Sequence, residues 1–211
     1  KTDRTKRTDS NGPRTNWLGD DMDSTIRIGH RLDRSEIYGP GLRSVIWVQG
    51  CTLACKGCWN TQYWSAKGGD EMQVSELLKE IQTFDDIEGI TLLGGEPLQQ
   101  PKASLELIKS AKSLGLSVFL YTGYEPEEFD ETMLACFNLS DIAVTGRYVQ
   151  ELRDTSLRWR GSQNQQVHFI SDMYDETVLN EQTEVEFHIL PTGEIQIVGY
   201  AEAELSRLLE A

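Results

Sequence analysis

Apolar residues fall along this chain in short unbroken runs separated by stretches with helical spacing, the alternation expected of a parallel sheet wrapped by helices. Val45-Ile46-Trp47-Val48, Ile90-Thr91-Leu92-Leu93 and Val118-Phe119-Leu120-Tyr121 are continuous runs, as a strand covered on both faces requires, and Ile142-Ala143-Val144 is a shorter fourth. Between them Val74, Leu77, Leu78 and Ile81 recur at i, i+3, i+4 and i+7. A second amphipathic helix runs from Ala103 to Leu114, with Leu105, Ile108 and Ala111 inside and Gly115 to stop it. The pattern predicts a third helix starting at Pro126, with Glu127 and Glu128 in its first turn and Phe129, Met133, Cys136 and Phe137 on one face. Val185, Phe187 and Ile189 then alternate with Glu184, Glu186 and His188. Pro191-Thr192-Gly193-Glu194 turns the chain into Ile195-Gln196-Ile197-Val198, which predicts a hairpin. Ala201, Leu205, Leu208 and Leu209 form one stripe of an expected last helix. The fold class is α/β, with no internal repeat.

The region 1–24 breaks the pattern: it is Thr, Asp, Arg, Asn and Gly with few apolar residues, too few to offset the entropy of ordering. It is expected to be a flexible polar arm, leaving 25–211 as a single domain of ordinary size. Twenty Lys and Arg against 34 Asp and Glu give a net charge of −14, a field that opposes nucleic acid and anionic membrane. Within it, residues 1 to 16 are net positive and could meet an acidic partner. No run approaches the ~18 apolar residues of a membrane span, and the first residues lack an apolar leader, so a soluble cytoplasmic protein is expected.

Three of the four cysteines, Cys51, Cys55 and Cys58, lie within eight residues, directly after the first run and Gly50. That spacing is too tight for an ordinary disulfide framework, and in α/β folds the carboxyl end of a strand is where ligands bind. A structural zinc would want a fourth ligand, available only from the remote His30, His168, His188 or Cys136. A 4Fe-4S cluster held by three local thiolates would keep one iron open for a substrate or cofactor. At the end of the second run stands Gly94-Gly95-Glu96-Pro97, which as a bare string is also an ordinary strand-to-helix turn.

The cysteine triplet together with Gly94-Gly95-Glu96-Pro97 resembles the radical S-adenosylmethionine superfamily. The lead-in Gly39-Pro40-Gly41-Leu42-Arg43 and the segments Tyr121-Thr122-Gly123-Tyr124, Thr145-Gly146-Arg147-Tyr148-Val149 and Leu157 to Gln165 resemble its branch of glycyl-radical-enzyme activating enzymes. The likeness spans roughly residues 25 to 200 and leaves out the arm. It implies a partial (β/α) barrel of the radical SAM type in one domain, closed by a C-terminal β-hairpin and helix. It further implies a 4Fe-4S cluster on Cys51, Cys55 and Cys58, and S-adenosyl-L-methionine on the open iron.

Carried over position by position, Gly57 and Trp59 would lie against the adenine. Gly94, Gly95, Glu96 and Pro97 would hold the methionine end, Thr122 would reach the cofactor, and Arg147 would neutralise its carboxylate. The implied activity is reductive cleavage of the cofactor and hydrogen abstraction from a glycine of a large glycyl radical enzyme, fed by a flavodoxin- or ferredoxin-type reductant. No side-chain acid or base is then needed. The same motifs would serve a single-cluster enzyme acting on a peptide or metabolite. A non-catalytic electron carrier would not need Gly94 to Pro97.

Trp59 could instead be plain packing, and Arg147 a surface ion pair. Thr145 stands where relatives commonly carry an acid, and Gly57 where the wider superfamily has an aromatic. Arg158 to Asn164 is dense in donors and is expected to dock a partner or to anchor a loop. The three histidines show no metal-ligand spacing.

Overall fold

The four apolar runs become the middle of one sheet. In the computed structural model, which describes residues 24–180, 185–189, 192–193 and 195–199, they are β2 (Arg43–Val48), β4 (Gly89–Gly94), β5 (Ser117–Tyr121) and β6 (Ile142–Thr145). Each pairs in parallel with the next. Their side chains alternate between two covered faces, which is why the runs are continuous rather than alternating. Ile46, Val48, Ile90, Leu92, Val118, Leu120 and Ala143 share one cluster with the apolar stripes of α1 (Val74–Ile81), α2 (Pro101–Ser113) and α3 (Glu131–Leu139). On the opposite, helix-free face lie Trp47, Leu93, Phe119, Ile142 and Val144.

Three strands absent from the apolar reading extend the sheet. β1 (Thr25–Ser35) runs antiparallel to β2, and β3 (Asp70–Gln73) antiparallel to β1. β7 (Gln166–Phe169) runs antiparallel to β6 at the far edge. The spatial order is β3-β1-β2-β4-β5-β6-β7, a mixed α/β sheet consistent with a radical-SAM-like partial barrel.

α3 begins later than the sequence pattern suggests. Pro126–Glu128 is a single 3-10 turn, Phe129 returns to extended backbone, and Asp130 starts the helix by accepting from Met133 N at 2.8 Å. The turn from Pro126 cannot propagate through Phe129, yet Cys136 is still fully buried, as the stripe required.

The hairpin forms from β8 (Val185–Ile189) and β9 (Ile195–Gly199) as a separate two-stranded sheet, but it sits with its polar face inward. Glu186 accepts from Ser35 Oγ at 2.7 Å and from Glu36 N at 2.6 Å, and His188 lies 3.0 Å from the same carboxylate. Val198, opposite Glu186, is buried against Trp47 and Leu93, while Ile189 on the other face is 74% exposed. The expected arm (1–24, except Ser24) and last helix (Ala201 to Leu209) fall outside the described residues.

At the amino end of the sheet Arg43 is completely buried. Its guanidinium donates to Thr91 Oγ1, Pro40 O, Ser117 Oγ, Ile90 O and Ser117 O, at 2.7–3.1 Å. One side chain thereby ties β2, β4 and β5 together and fixes the parallel register from below.

Candidate functional site

With the amino end sealed, the carboxyl ends of the parallel strands open into a cavity. It is lined by the three cysteines, by Gly94 to Glu96 after β4, by Thr122 and Gly123 after β5, and by Gly146 after β6. The loop after β2 is tied down at several points. Gly50 N donates to Tyr63 O at 2.8 Å, Cys51 N to Trp64 O at 3.0 Å, and Cys58 N to Cys55 O at 3.1 Å. Gln99, beyond β4, clamps the same loop from the side: its Oε1 accepts from Thr52 N and its Nε2 donates to Thr52 Oγ1.

All three thiols are free and half-buried, and burial pushes Cys51 and Cys55 above the usual thiol range. The Asn60 N–H donates to Cys58 Sγ at 3.4 Å, which orients that side chain within the loop. Among the described residues no three His, Cys, Asp or Glu converge as ligands of a single ion. A cluster asks for something else, one thiolate per iron, and three separate cysteines facing one cavity fit that donor set. The fourth, Cys136, is pushed up to about 12 by burial and lies in the core under α3, away from the cavity.

After β4 the two glycines are spatial necessities. A Cβ on Gly94, at φ +111°, would meet Trp47 Cα at 2.6 Å, and one on Gly95 would meet Gly50 O at 2.4 Å. They let this turn lie directly against the start of the cysteine loop, where Glu96 N donates to Gly50 O. Glu96 is 1% exposed and accepts three hydrogen bonds: from Leu98 N at 2.9 Å, Thr122 Oγ1 at 2.8 Å and Gly123 N at 2.8 Å. Burial outweighs these donors and lifts its carboxyl to about 7. Glu96 therefore joins the ends of β4 and β5, besides lining the cavity.

Other expected contacts are arranged differently. Thr122 lines the cavity, but its hydroxyl is committed to Glu96 and to Tyr124 N. Pro97 is buried at the start of a 3-10 turn, and Gly57, at φ +75°, packs against Gln150; neither lines the cavity. Arg147 is also outside the lining. It forks onto Glu128 at 2.5 and 2.7 Å and lies over Tyr124, which is the surface ion pair of the simpler reading. Trp59 does line the cavity, half-exposed, with the Arg153 guanidinium 4.4 Å over its ring. Thr145 turns away from the cavity and pairs with His168 Nε2 at 2.9 Å.

The sequence reading passed over the aromatic wall formed by Tyr38, Trp47, Trp64, Tyr121 and Tyr148. Strand alternation held a signal for part of it: Trp47 and Tyr121 occupy positions of their runs that face away from the helices. The donor-rich stretch from Arg158 to Gln165 is a loop pinned to its surroundings. Arg158 donates to Val178 O at 2.6 Å, Asn164 Nδ2 to Arg147 O at 2.8 Å, and Gln165 Oε1 accepts from Gly161 N at 2.9 Å.

Residues 37–168 match the family model described as a 4Fe-4S single cluster domain. The chain is 34% identical over 140 residues to the anaerobic ribonucleoside-triphosphate reductase-activating protein of Haemophilus influenzae, covering 63% of this chain and 90% of that one. The protein of the same description from Escherichia coli K12 is 34% identical over 142 residues, covering 64% and 92%. Among solved structures, QueE from Escherichia coli matches with a TM-score of 0.41 and 15% identity, over 56% of this chain and 69% of that one. Among the described residues no helix is long and apolar enough to cross a membrane.

Proposed function

Because the chain belongs to the 4Fe-4S single cluster domain family, as a radical-SAM-superfamily iron-sulfur protein resembling the anaerobic ribonucleoside-triphosphate reductase-activating proteins, we propose that it activates a partner glycyl radical enzyme. In this reading Cys51, Cys55 and Cys58 hold a 4Fe-4S cluster and the cavity holds S-adenosyl-L-methionine beside it. When bound and reduced by a flavodoxin- or ferredoxin-type protein, the cluster on these three cysteines would supply the one-electron chemistry for reductive cleavage of S-adenosyl-L-methionine and hydrogen abstraction from the partner's glycine.

The protein's own residues bind, orient and exclude water. Gly94 and Gly95 bring the β4 turn against the cysteine loop, so that anything held by the turn lies beside the thiolates. Glu96 fixes the ends of β4 and β5 to each other and presents a carboxyl at the wall, where it complements an ammonium group. Trp59, backed by Arg153, offers an aromatic face for a purine. The remaining aromatic wall gives the cavity a largely apolar lining.

The observation that carries the reading is that three free cysteines, Glu96 with its glycines, and Trp59 line one cavity at the carboxyl ends of parallel strands. The test is anaerobic: reconstitute with iron and sulfide, add dithionite and S-adenosyl-L-methionine, and quantify 5'-deoxyadenosine beside a Cys55→Ala control. Product from the intact protein alone supports the reading. A glycyl radical signal on an added partner would then identify the hydrogen donor. An assembled cluster that cleaves nothing, with or without partner, would sink it in favour of electron transfer.

A further inference from the structure

The family match ends at residue 168, inside β7, and the chain beyond it returns to the helix-free face of the sheet. There Tyr174, Val178 and Leu179 pack against the cluster of Phe119, Ile142, Val144 and Trp159, and Val198 of β9 packs with Trp47 and Leu93. Trp47, Leu93, Trp159 and Gly199 all line the cavity. The extension therefore supplies a wall on the side that an open sheet leaves bare.

The two halves of this wall are attached differently. The first is bonded into the domain: Ser171 Oγ donates to Asp141 Oδ1 at 2.7 Å, Tyr174 OH to Ser117 Oγ at 3.0 Å, and Arg158 to Val178 O at 2.6 Å. The second, the β8–β9 hairpin, is a sheet of its own and shares no ladder with the seven strands. Its latch is Glu186, whose carboxylate accepts from Ser35 Oγ and Glu36 N at the end of β1. On the inward face Val198 is buried, whereas Phe187, Ile189 and Ile195 are exposed on the outward one. Docking thus buries little apolar surface, and the polar seam of Glu186, His188 and Ser35 can be rehydrated when it parts. Local openings are drawn from elements held in this way.

We propose that the β8–β9 hairpin is a gate on the flank of the cavity, held shut against the end of β1 by Glu186 and able to swing clear while the rest of the fold stays closed. Shut, it screens the Trp47 and Leu93 end of the cavity from solvent and from bulky molecules. Open, it admits from the side a substrate that the shut wall excludes. The gate lies outside the residues matched by the family model. It governs access whatever group the thiols carry, and so stands apart from the activating reading.

The test places a reporter under the gate. In the full chain without iron, Val198→Cys puts a thiol on the inner face of the hairpin, and Cys136, fully buried under α3, reports opening of the core. Both are alkylated with iodoacetamide in native buffer, resolved by peptide mass spectrometry, and normalised to their rates in the urea-unfolded chain. The thiol at position 198 is expected to react roughly a hundred-fold faster than Cys136. Glu186→Ala, or Ser35→Ala should that variant not fold, is expected to speed it roughly ten-fold further and to leave Cys136 unchanged, as loss of charge-assisted hydrogen bonds from the latch alone would do. A rate at 198 no faster than at Cys136, or a latch variant that speeds both thiols together, would show that the hairpin opens only with the core. A rate at 198 indifferent to the latch variant would show that the reagent enters with the hairpin in place. Each of these results overturns the proposal. The labelling needs neither cluster nor turnover, so a failed 5'-deoxyadenosine assay leaves the gate standing, and a failed gate leaves the radical reading untouched.

Discussion

At the scale of single residues, two buried ionisable side chains do unlike work at opposite ends of the strands. Glu96 keeps its proton to about 7 because burial disfavours the carboxylate more than three donors favour it. Its folded-state pKa is above the unfolded one, so the stability it contributes is fully present below the usual carboxylate range. That stability is lost as pH rises through about 7. Urea unfolding of the protein and of Glu96→Gln at about pH 5 and about pH 8 should isolate a loss of up to about 3 kcal/mol in the former alone. The comparison is needed because burial lowers the pKa of His30 and His168, which adds stability with rising pH. Equal pH dependence in the two proteins would contradict this account. Arg43, by contrast, is a cation whose desolvation is offset by three carbonyls and two hydroxyls. Lysine cannot reproduce the planar fork, so Arg43→Lys should leave carbonyls of Ile90 and Ser117 unpaired and cost about 3 kcal/mol or more in urea midpoint analysis. The sequence exposed Glu96 through its glycines, whereas the role of Arg43 needed three strand beginnings brought side by side.

At the scale of elements, the parallel strands and α1 and α2 were legible because each is buried in the way its periodicity encodes. β1, β3 and β7 were not, for a physical reason: they are edge or near-edge strands whose residues are mostly half-exposed, so no apolar run marks them. The start of α3 misled because Pro126 with two following acids suits a 3-10 turn as well as a helix, and only Asp130 capping Met133 distinguishes them. The hairpin shows the limit most clearly. Alternation locates both strands and the turn, yet which face goes inward is decided by Glu186 finding Ser35 and Glu36, contacts 150 or so residues distant. Val198→Ala should therefore cost about 1–2 kcal/mol, while Ile189→Ala, a larger truncation, should stay within about 0.5 kcal/mol. Urea unfolding of the two variants checks the order, and the reverse order would mean that the apolar face is the buried one.

At the scale of the whole molecule, the sheet separates what holds the protein together from what is offered to ligands. The largest cluster is on the helix face, Arg43 seals the amino ends, and Cys51, Cys55 and Cys58 belong to neither. Their loop is secured by backbone hydrogen bonds to the segment around Tyr63 and Trp64 and by Gln99, none of which requires a metal. This contrasts with small metal-dependent domains, where binding free energy is folding free energy. Replacing all three cysteines by alanine should accordingly abolish iron retention after reconstitution, yet leave the far-UV circular dichroism unchanged. The urea midpoint should move by no more than about 1 kcal/mol of stability, since three half-exposed thiols are being truncated without opening a core cavity. A variant that loses its cooperative transition would show instead that the carboxyl end of the sheet depends on the cluster for its structure, and the separation drawn here between scaffold and site would have to be abandoned.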